Sequence, residues 1–125
     1  MEWKFREDLP IYSQLVERIK LGIVSGELLP GERLASVREM ATEAGVNPNT
    51  MQRALQELER EGMVFAQRTS GRYVTEEIRR IEEAKRKLAE NQIRSFLEQM
   101  GKLGYSREEI LAMFEEEKGV ENADS

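Results

Sequence analysis

The sequence predicts a mainly α-helical fold with one small β-hairpin: a helix-turn-helix with a hairpin wing, followed by a two-helix C-terminal tail. Three observations support this prediction. Apolar residues recur at helical spacing along most of the 125 residues. A tight turn containing glycine joins two amphipathic patterns between Ser36 and Gly62. Directly afterwards, two short alternating runs flank a polar tip within residues 63–75, as expected for a hairpin.

Composition limits the classes of protein that this chain can be. With 39% hydrophobic residues it can bury one modest core plus an appendage. It has no apolar run near the ~18 residues that cross a bilayer and no charged-then-apolar leader, so we expect a cytoplasmic protein without membrane contact. Cys and His are absent, which removes disulfides, thiolate nucleophiles, most zinc sites and the commonest general base. We expect no enzyme activity, cofactor or metal, since a carboxylate-dependent enzyme would need a paired-acid cleft.

The charge distribution qualifies the formal net charge of −5, which by itself weighs against a nucleic-acid partner. Residues 1–75 carry 10 basic and 11 acidic side chains, whereas residues 76–125 carry 9 and 13. No acid occurs in residues 44–56 or 62–75, which contain Arg53, Arg68 and Arg72. The nearly neutral first part can therefore present one basic face.

The first 35 residues read as scaffold. Trp3 and Phe5 alternate with charged residues and predict a short extended segment anchored on the core. A helix is expected to start at residues 8–10 and to end at Gly26. Its apolar stripe consists of Ile11, Leu15, Ile19 and Ile23. After a Pro-Gly turn, residues 32–35 could pair with the later hairpin, which would place Arg33 at the sheet edge.

A second helix is expected to open at Ser36, which forms a capping box with Glu39. The apolar residues that follow face inward, so Arg38 points outward beside the helix N-terminus. Free amides and the helix dipole attract phosphate there, and an arginine adds a charge-assisted donor. The alternative interpretation of Arg38 is an ordinary solvated surface arginine.

The third helix begins after the Gly45 turn, with Asn47 as its cap and Pro48 in its first position. Its buried stripe leaves a polar face without acids until Glu57. That face carries Asn49, Thr50, Gln52, Arg53 and Gln56. Asn and Gln suit adenine, Arg suits guanine, and Thr can contact a base through its hydroxyl or methyl group, so the face is a candidate for reading DNA bases. The alternative is a merely polar, solvated face.

The hairpin after Gly62 is predicted to be a wing. Residues 63–66 and 72–75 form its strands, and residues 67–71 its flexible tip. Arg68, Thr69 and Ser70 could reach the minor groove or phosphates, with Gly71 permitting close backbone approach. The alternative is an exposed hairpin without a ligand.

These segments together resemble the N-terminal winged helix-turn-helix domain of GntR-family transcription regulators. The match covers residues 9–75, through PIYSQLVERIKLGIVSGELLPGERL, SVREMATEAGVNPNTMQRALQELEREGMV and RTSGRYV. The short YtrA-like subgroup is implied, because only a small helical tail follows.

The resemblance implies DNA contacts on helix two, helix three and the wing. These are Ser36, Arg38, Asn47, Asn49, Thr50, Gln52, Arg53, Arg68, Thr69 and Gly71. Two departures from the family pattern stand out. Ala35 replaces the usual Pro, and the wing reads RTSGR where a Gly-Lys-Gly type of run is common.

The tail is expected to form one long helix from Glu76 to about Leu103 and a second after the Ser106–Glu109 capping box, with residues 121–125 frayed. Two helices cannot bury so much apolar surface against each other alone, so a homodimer is predicted. Its contacts are expected to be Ile81, Leu88, Ile93, Phe96, Leu97, Met100, Ile110 and Phe114. The alternative is a tail folded over its own winged domain.

The predicted function is that of a sequence-specific DNA-binding transcription regulator, with residues 1–75 binding DNA and residues 76–125 forming the dimer. Two recognition helices about one DNA turn apart would read a pseudo-palindromic operator in double-stranded DNA. We expect a repressor. The alternative is a winged-helix protein–protein adaptor without DNA binding. The sequence indicates neither target genes nor a small-molecule effector.

Overall fold

The computed structural model describes residues 1–124 of the chain, and the side chains of residues 1–117. It confirms the mainly α-helical class with a two-stranded antiparallel hairpin. The elements in order are α1 (Ile11–Val24), α2 (Val37–Ala44), α3 (Pro48–Arg60), β1 (Val64–Gln67), β2 (Gly71–Val74), α4 (Ile78–Lys102) and α5 (Arg107–Asp124). Residues 121–124, which were expected to be frayed, lie within α5, and the final residue lies outside the described part.

The start of α1 differs from the prediction. Pro10 is the N-cap residue and no side chain caps the helix, because Asp8 pairs with Arg6 instead, at 2.7 Å. The amide of Gln14 ties down the preceding segment: it accepts from the Arg6 amide at 2.7 Å and donates to the Leu9 carbonyl at 3.0 Å. A side chain inside the helix therefore organises the entry that a capping carboxylate was expected to organise.

The hydrophobic core lies where α1, α2 and the hairpin meet α3. Its largest fully buried side chains are Leu15, Ile19, Met51, Leu55, Leu58, Val64 and Val74. Trp3 and Phe5 pack against this core, as the alternating N-terminal pattern predicts. Because α3 supplies apolar residues along only one stripe, its other side remains available to solvent.

The turn between α2 and α3 matches the prediction. Gly45 adopts φ 72°, a left-handed conformation that favours glycine, and its amide donates to the Thr42 carbonyl at 3.2 Å. The Val46 amide reaches back to the Ala41 carbonyl at 3.0 Å. Asn47 caps α3 by accepting from the Asn49 amide at 2.8 Å. Local chemistry thus sets the angle at which α3 leaves α2.

The hairpin is extended by the linker before α2. Strands β1 and β2 pair from Val64↔Val74 to Gln67↔Gly71. Arg33 forms an isolated antiparallel bridge with Tyr73, which confirms that residues 32–35 lie at the sheet edge. This third segment anchors the base of the wing next to the N-terminus of α2.

The chain divides into two compact units, Met1–Arg86 and a second that begins at Lys87. The division falls inside α4, beyond the residue 75 expected from the sequence, because Ile81 is 7% exposed and belongs to the first core. In the second unit, Ser106 and Glu109 form the predicted reciprocal capping box, with distances of 3.1 and 3.0 Å. Within residues 1–124, no helix is long and apolar enough to cross a membrane.

Candidate nucleic-acid interface

The N-terminus of α2 forms one end of the candidate interface. Ser36 caps the helix by accepting from the Glu39 amide at 3.1 Å, and its hydroxyl lies 3.1 Å from Glu39 Oε1. Arg38 is exposed in the first turn, and no described side chain pairs with it. The structure therefore leaves a cation free beside amides that point outward, an arrangement suited to phosphate.

The polar side of α3 forms the centre of the interface. Asn47, Asn49 and Arg53 are exposed, whereas Thr50 and Gln52 are half-buried. The opposite stripe is almost fully buried, so the helix cannot rotate to hide these side chains. The predicted recognition residues thus lie on one accessible side of the helix, although the two half-buried ones present only part of their surface.

Arg72 of the wing contacts Gln52. Arg72 on β2 forms an ion pair with Glu59, and its Nη1 lies 3.4 Å from Gln52 Oε1. Arg72 is only 17% exposed. It therefore does not add to a basic surface, as its place in an acid-free window suggested, but connects β2 to α3 and orients the Gln52 amide.

Arg53 contacts an aromatic ring on α1. Its guanidinium carbon lies 4.8 Å from the centroid of the Tyr12 ring on α1, within range of a cation–π interaction. Helical periodicity does not predict this contact, because Tyr12 follows Ile11 and so lies beside the apolar stripe of α1. The one feature that distinguishes Tyr12 from the apolar residues around it is its hydroxyl group in the first turn of α1.

The acids in the C-terminal half of α3 and at its C-cap are all paired with cations. Glu57 pairs with Arg60, Glu59 with Arg72, and Glu61 with Lys20 at 2.6 Å. The hydrogen bond from the Arg60 guanidinium is the main cause that lowers the pKa of Glu57 from 4.5 to about 2. These carboxylates are compensated within the domain, so they oppose an approaching phosphate backbone less than their number suggests.

The wing tip is accessible but has little structure of its own. Arg68 and Thr69 are exposed in the turn, which the Ser70 amide closes by donating to the Gln67 carbonyl at 3.3 Å. Gly71 has φ 109°, a conformation that disfavours any side chain. The tip can therefore approach a ligand closely, with Arg68 as its cation.

Arg33 is a basic residue that the list of expected contacts lacked. Its Nε would lie 3.4 Å from a Cβ placed on Gly71, so its side chain runs along the start of β2. It is exposed and makes no ion pair with a described side chain. A basic residue in a segment predicted to border the sheet was the signal that could have identified it.

The arrangement of α2, α3 and hairpin is that of a winged helix, and sequence comparison identifies its family. Residues 11–74 match the model for bacterial regulatory proteins of the gntR family. The chain belongs to the GntR family. It is accordingly a DNA-binding transcription regulator.

Within the family it is similar to the uncharacterized HTH-type transcriptional regulator YhcF of Bacillus subtilis (strain 168), at 42% identity over 89% of this chain and 92% of that protein. It is also similar to the HTH-type transcriptional repressor YtrA of the same organism, at 39% identity over 78% and 71%. The expected YtrA-like subgroup is thereby confirmed.

Solved GntR structures share the fold. A GntR family transcriptional regulator from Listeria monocytogenes superposes with a TM-score of 0.81 at 41% identity, covering 90% of this chain and 98% of that one. The AraR DNA-binding domain in complex with operator ORX1 superposes with a TM-score of 0.55 at 26% identity, covering 60% and 96%. The second of these structures is thus a complex with operator DNA.

Proposed function

We propose that this GntR regulator is a repressor that binds a pseudo-palindromic operator as a homodimer, acting in the cytoplasm by occluding a promoter. The observation that carries the proposal is the accessible polar side of α3, which follows the N-terminus of α2 and precedes the wing tip along the chain. The AraR domain in complex with its operator and the repressor YtrA support it, since both resemble this chain.

Within the proposed interface, base contacts and phosphate contacts involve different residues. We assign base reading to Asn47, Asn49, Thr50, Gln52 and Arg53, whose amide, hydroxyl and guanidinium groups match base edges. Phosphate contacts are assigned to the exposed cations and polar groups on either side of α3. These are Ser36, Arg38, Arg68, Thr69 and the backbone at Gly71, and we add Arg33 because it is exposed beside Gly71.

The homodimer is supported by the second unit, which exposes large apolar side chains. Ile93 and Leu111 are each 58% exposed and Phe114 is 55% exposed, although the Phe96 and Phe114 rings already meet at 5.9 Å. Ile81 and Ile110 are buried within a single chain, so we omit both from the proposed contact. Apolar side chains left exposed in such number are typical of a protein–protein contact. A second copy would cover them and place two recognition helices on one operator.

The DNA contacts are tested by selecting bound sequences from a pool of duplexes with randomised positions, followed by footprinting titrations on the selected duplex. Gln52→Ala and Arg53→Ala should each reduce base preference at a distinct position, by about 1–3 kcal/mol. Arg38→Ala should weaken all duplexes alike. Unchanged affinity and preference in both the Gln52 and Arg53 variants would overturn the assignment of α3 as the reading helix.

The dimer is tested by sedimentation of the full chain, whose mass is 14.5 kDa per copy. We expect the unmodified chain to sediment at twice this mass and Phe114→Asp to sediment as a monomer. Leu21→Asp is the matched control, because Leu21 is also exposed, at 46%, but lies on α1 in the first unit. Persistence of the dimer in Phe114→Asp would show that this surface does not form the contact.

A further inference from the structure

The contact between Arg53 and Tyr12 connects the proposed recognition helix to a helix that carries none of the expected DNA contacts. The guanidinium carbon of Arg53 lies 4.8 Å from the Tyr12 ring centroid. Arg53 is exposed and forms no ion pair with any described side chain. The aromatic ring is therefore the one described group that restrains this cation.

Tyr12 itself is held firmly enough to act as a support. It is half-buried and packs against the core cluster at the junction of α1 and α3. Its hydroxyl lies 3.5 Å from Oε1 of Glu57, which follows Arg53 by one helical turn. Glu57 is in turn fixed by its ion pair with Arg60. The ring is consequently constrained by apolar packing on one side and by a polar contact at its tip.

We propose that Tyr12 is a positioning residue that sets the base specificity of Arg53. This inference rests on the proposed function, in which Arg53 donates to a guanine. An arginine stacked on an aromatic face keeps its planar fork of N–H donors free at the edge, which is the geometry that bidentate recognition of guanine O6 and N7 needs. A guanidinium already restrained before binding loses less freedom when it meets the base.

Other arginines are better placed to hold phosphate without such a support. Arg38 and Arg68 are exposed, lie on either side of α3, and have no partner among the described side chains. Phosphate attraction depends on charge and tolerates a mobile side chain, whereas base discrimination depends on the direction of the donors. Of these three arginines, only Arg53 is restrained by an aromatic ring. This difference indicates that Arg53 discriminates between bases, whereas Arg38 and Arg68 attract phosphate.

The test compares the full-length chain with Tyr12→Leu, which removes the aromatic face, and Tyr12→Phe, which keeps it and loses only the hydroxyl. Each protein selects from a randomised duplex pool. Tyr12→Leu should lower the guanine preference at one position per half-site by about 2- to 5-fold, the equivalent of a cation–π attraction of roughly 0.5–1 kcal/mol. Other positions should keep their preferences, and Tyr12→Phe should behave like the unmodified chain.

A double-mutant cycle shows whether Tyr12 acts through Arg53. In an Arg53→Ala background, Tyr12→Leu should cause no further loss of preference. Thermal melting of each variant checks the fold, and Tyr12→Met replaces Tyr12→Leu if the latter unfolds at the assay temperature. An additional loss in the Arg53→Ala background, or a uniform loss on all duplexes with a shallower salt dependence, would overturn the inference.

Failure of this inference can be distinguished from failure of the proposed function. If the unmodified chain enriches no sequence from the pool, the proposed operator recognition is wrong, and the role of Tyr12 falls with it. If the unmodified chain enriches a motif and Tyr12→Leu enriches the same motif with equal preference at every position, only the positioning role is wrong.

Discussion

Replacement of Arg72 by Ala should weaken the junction between the wing and the recognition helix. Arg72 is 17% exposed and its partner Glu59 is 31% exposed, so this ion pair is intermediate between a solvated pair and a fully buried one. Solvated pairs contribute about 0–1 kcal/mol, whereas leaving one charge of a buried pair alone costs about 3–5 kcal/mol. We therefore expect Arg72→Ala to lower the free energy of unfolding by about 1–2 kcal/mol.

Thermal unfolding followed by circular dichroism measures this loss, at equal protein concentrations because association raises the melting temperature. Each kcal/mol corresponds to about 4–8 °C for a domain of this size. Arg60→Ala is the matched control. It also removes an arginine paired with a glutamate of α3, but Arg60 is 73% exposed, so its loss should destabilise the fold less than the loss of Arg72. An equal destabilisation by both variants would refute the argument from burial.

Arg72→Ala should also change DNA recognition in a way that its charge alone does not predict. Its Nη1 lies 3.4 Å from Gln52 Oε1, so the change frees the Gln52 amide and should reduce base preference at one position. Because the charge of Arg72 is already compensated by Glu59, the dependence of affinity on salt should stay unchanged. A salt slope shallower by about 1 would mean that Arg72 contacts a phosphate, contrary to the structure.

Three further predictions concern charge, pH and the turn. Arg38→Ala and Arg68→Ala should each make the salt slope of DNA affinity shallower by about 1, as measured by titration at several salt concentrations. The stabilising effect of Glu57, whose pKa is lowered from 4.5 to about 2, should be present above pH 4.5 and lost as the pH falls towards 2, and acid unfolding of Glu57→Gln should lack this component. Gly45→Ala should destabilise the fold by about 1 kcal/mol in thermal melts, because φ at this position is 72°. Steric contact is not the cause, since no atom lies within 4 Å of the new Cβ. Gly101→Ala in α4 is the control and should be neutral or stabilising.

Features specified by neighbouring residues could be predicted from the sequence. The Ser36–Glu39 and Ser106–Glu109 caps, the Gly45 turn and the Asn47 cap each depend on groups at most a few residues apart. The hydrophobic spacing along α3 likewise fixes which side is buried and hence which side chains are accessible. The exposed side of α3 could therefore be predicted from the spacing of its apolar residues.

Features that depend on contacts between distant segments could not be predicted. Arg72 lies in an acid-free window of the sequence, yet it meets Glu59 thirteen positions earlier in the chain. Ile81 belongs to the periodic pattern of the tail, which periodicity cannot assign to a particular partner, and it is buried in the first core. Asp8 has the chemistry of a helix cap but pairs with Arg6. In each case the sequence shows which kind of contact the side chain can make, and the packing of the elements decides which residue it contacts.

Some polar side chains of the interface are restrained by contacts and others have no described partner. This difference explains how a nearly neutral unit can present a DNA-binding face. The adjacent residues Gln52 and Arg53 are restrained by two different elements, by the wing through Arg72 and by α1 through Tyr12. The free cations, such as Arg38, have no described partner. Base discrimination requires donors of fixed direction, whereas phosphate attraction requires only uncompensated charge. The glutamates of α3 pair with Arg60 and Arg72 and do not pair with the exposed cations of the interface. The net charge of the unit therefore says little about the electrostatic field at the face that meets DNA.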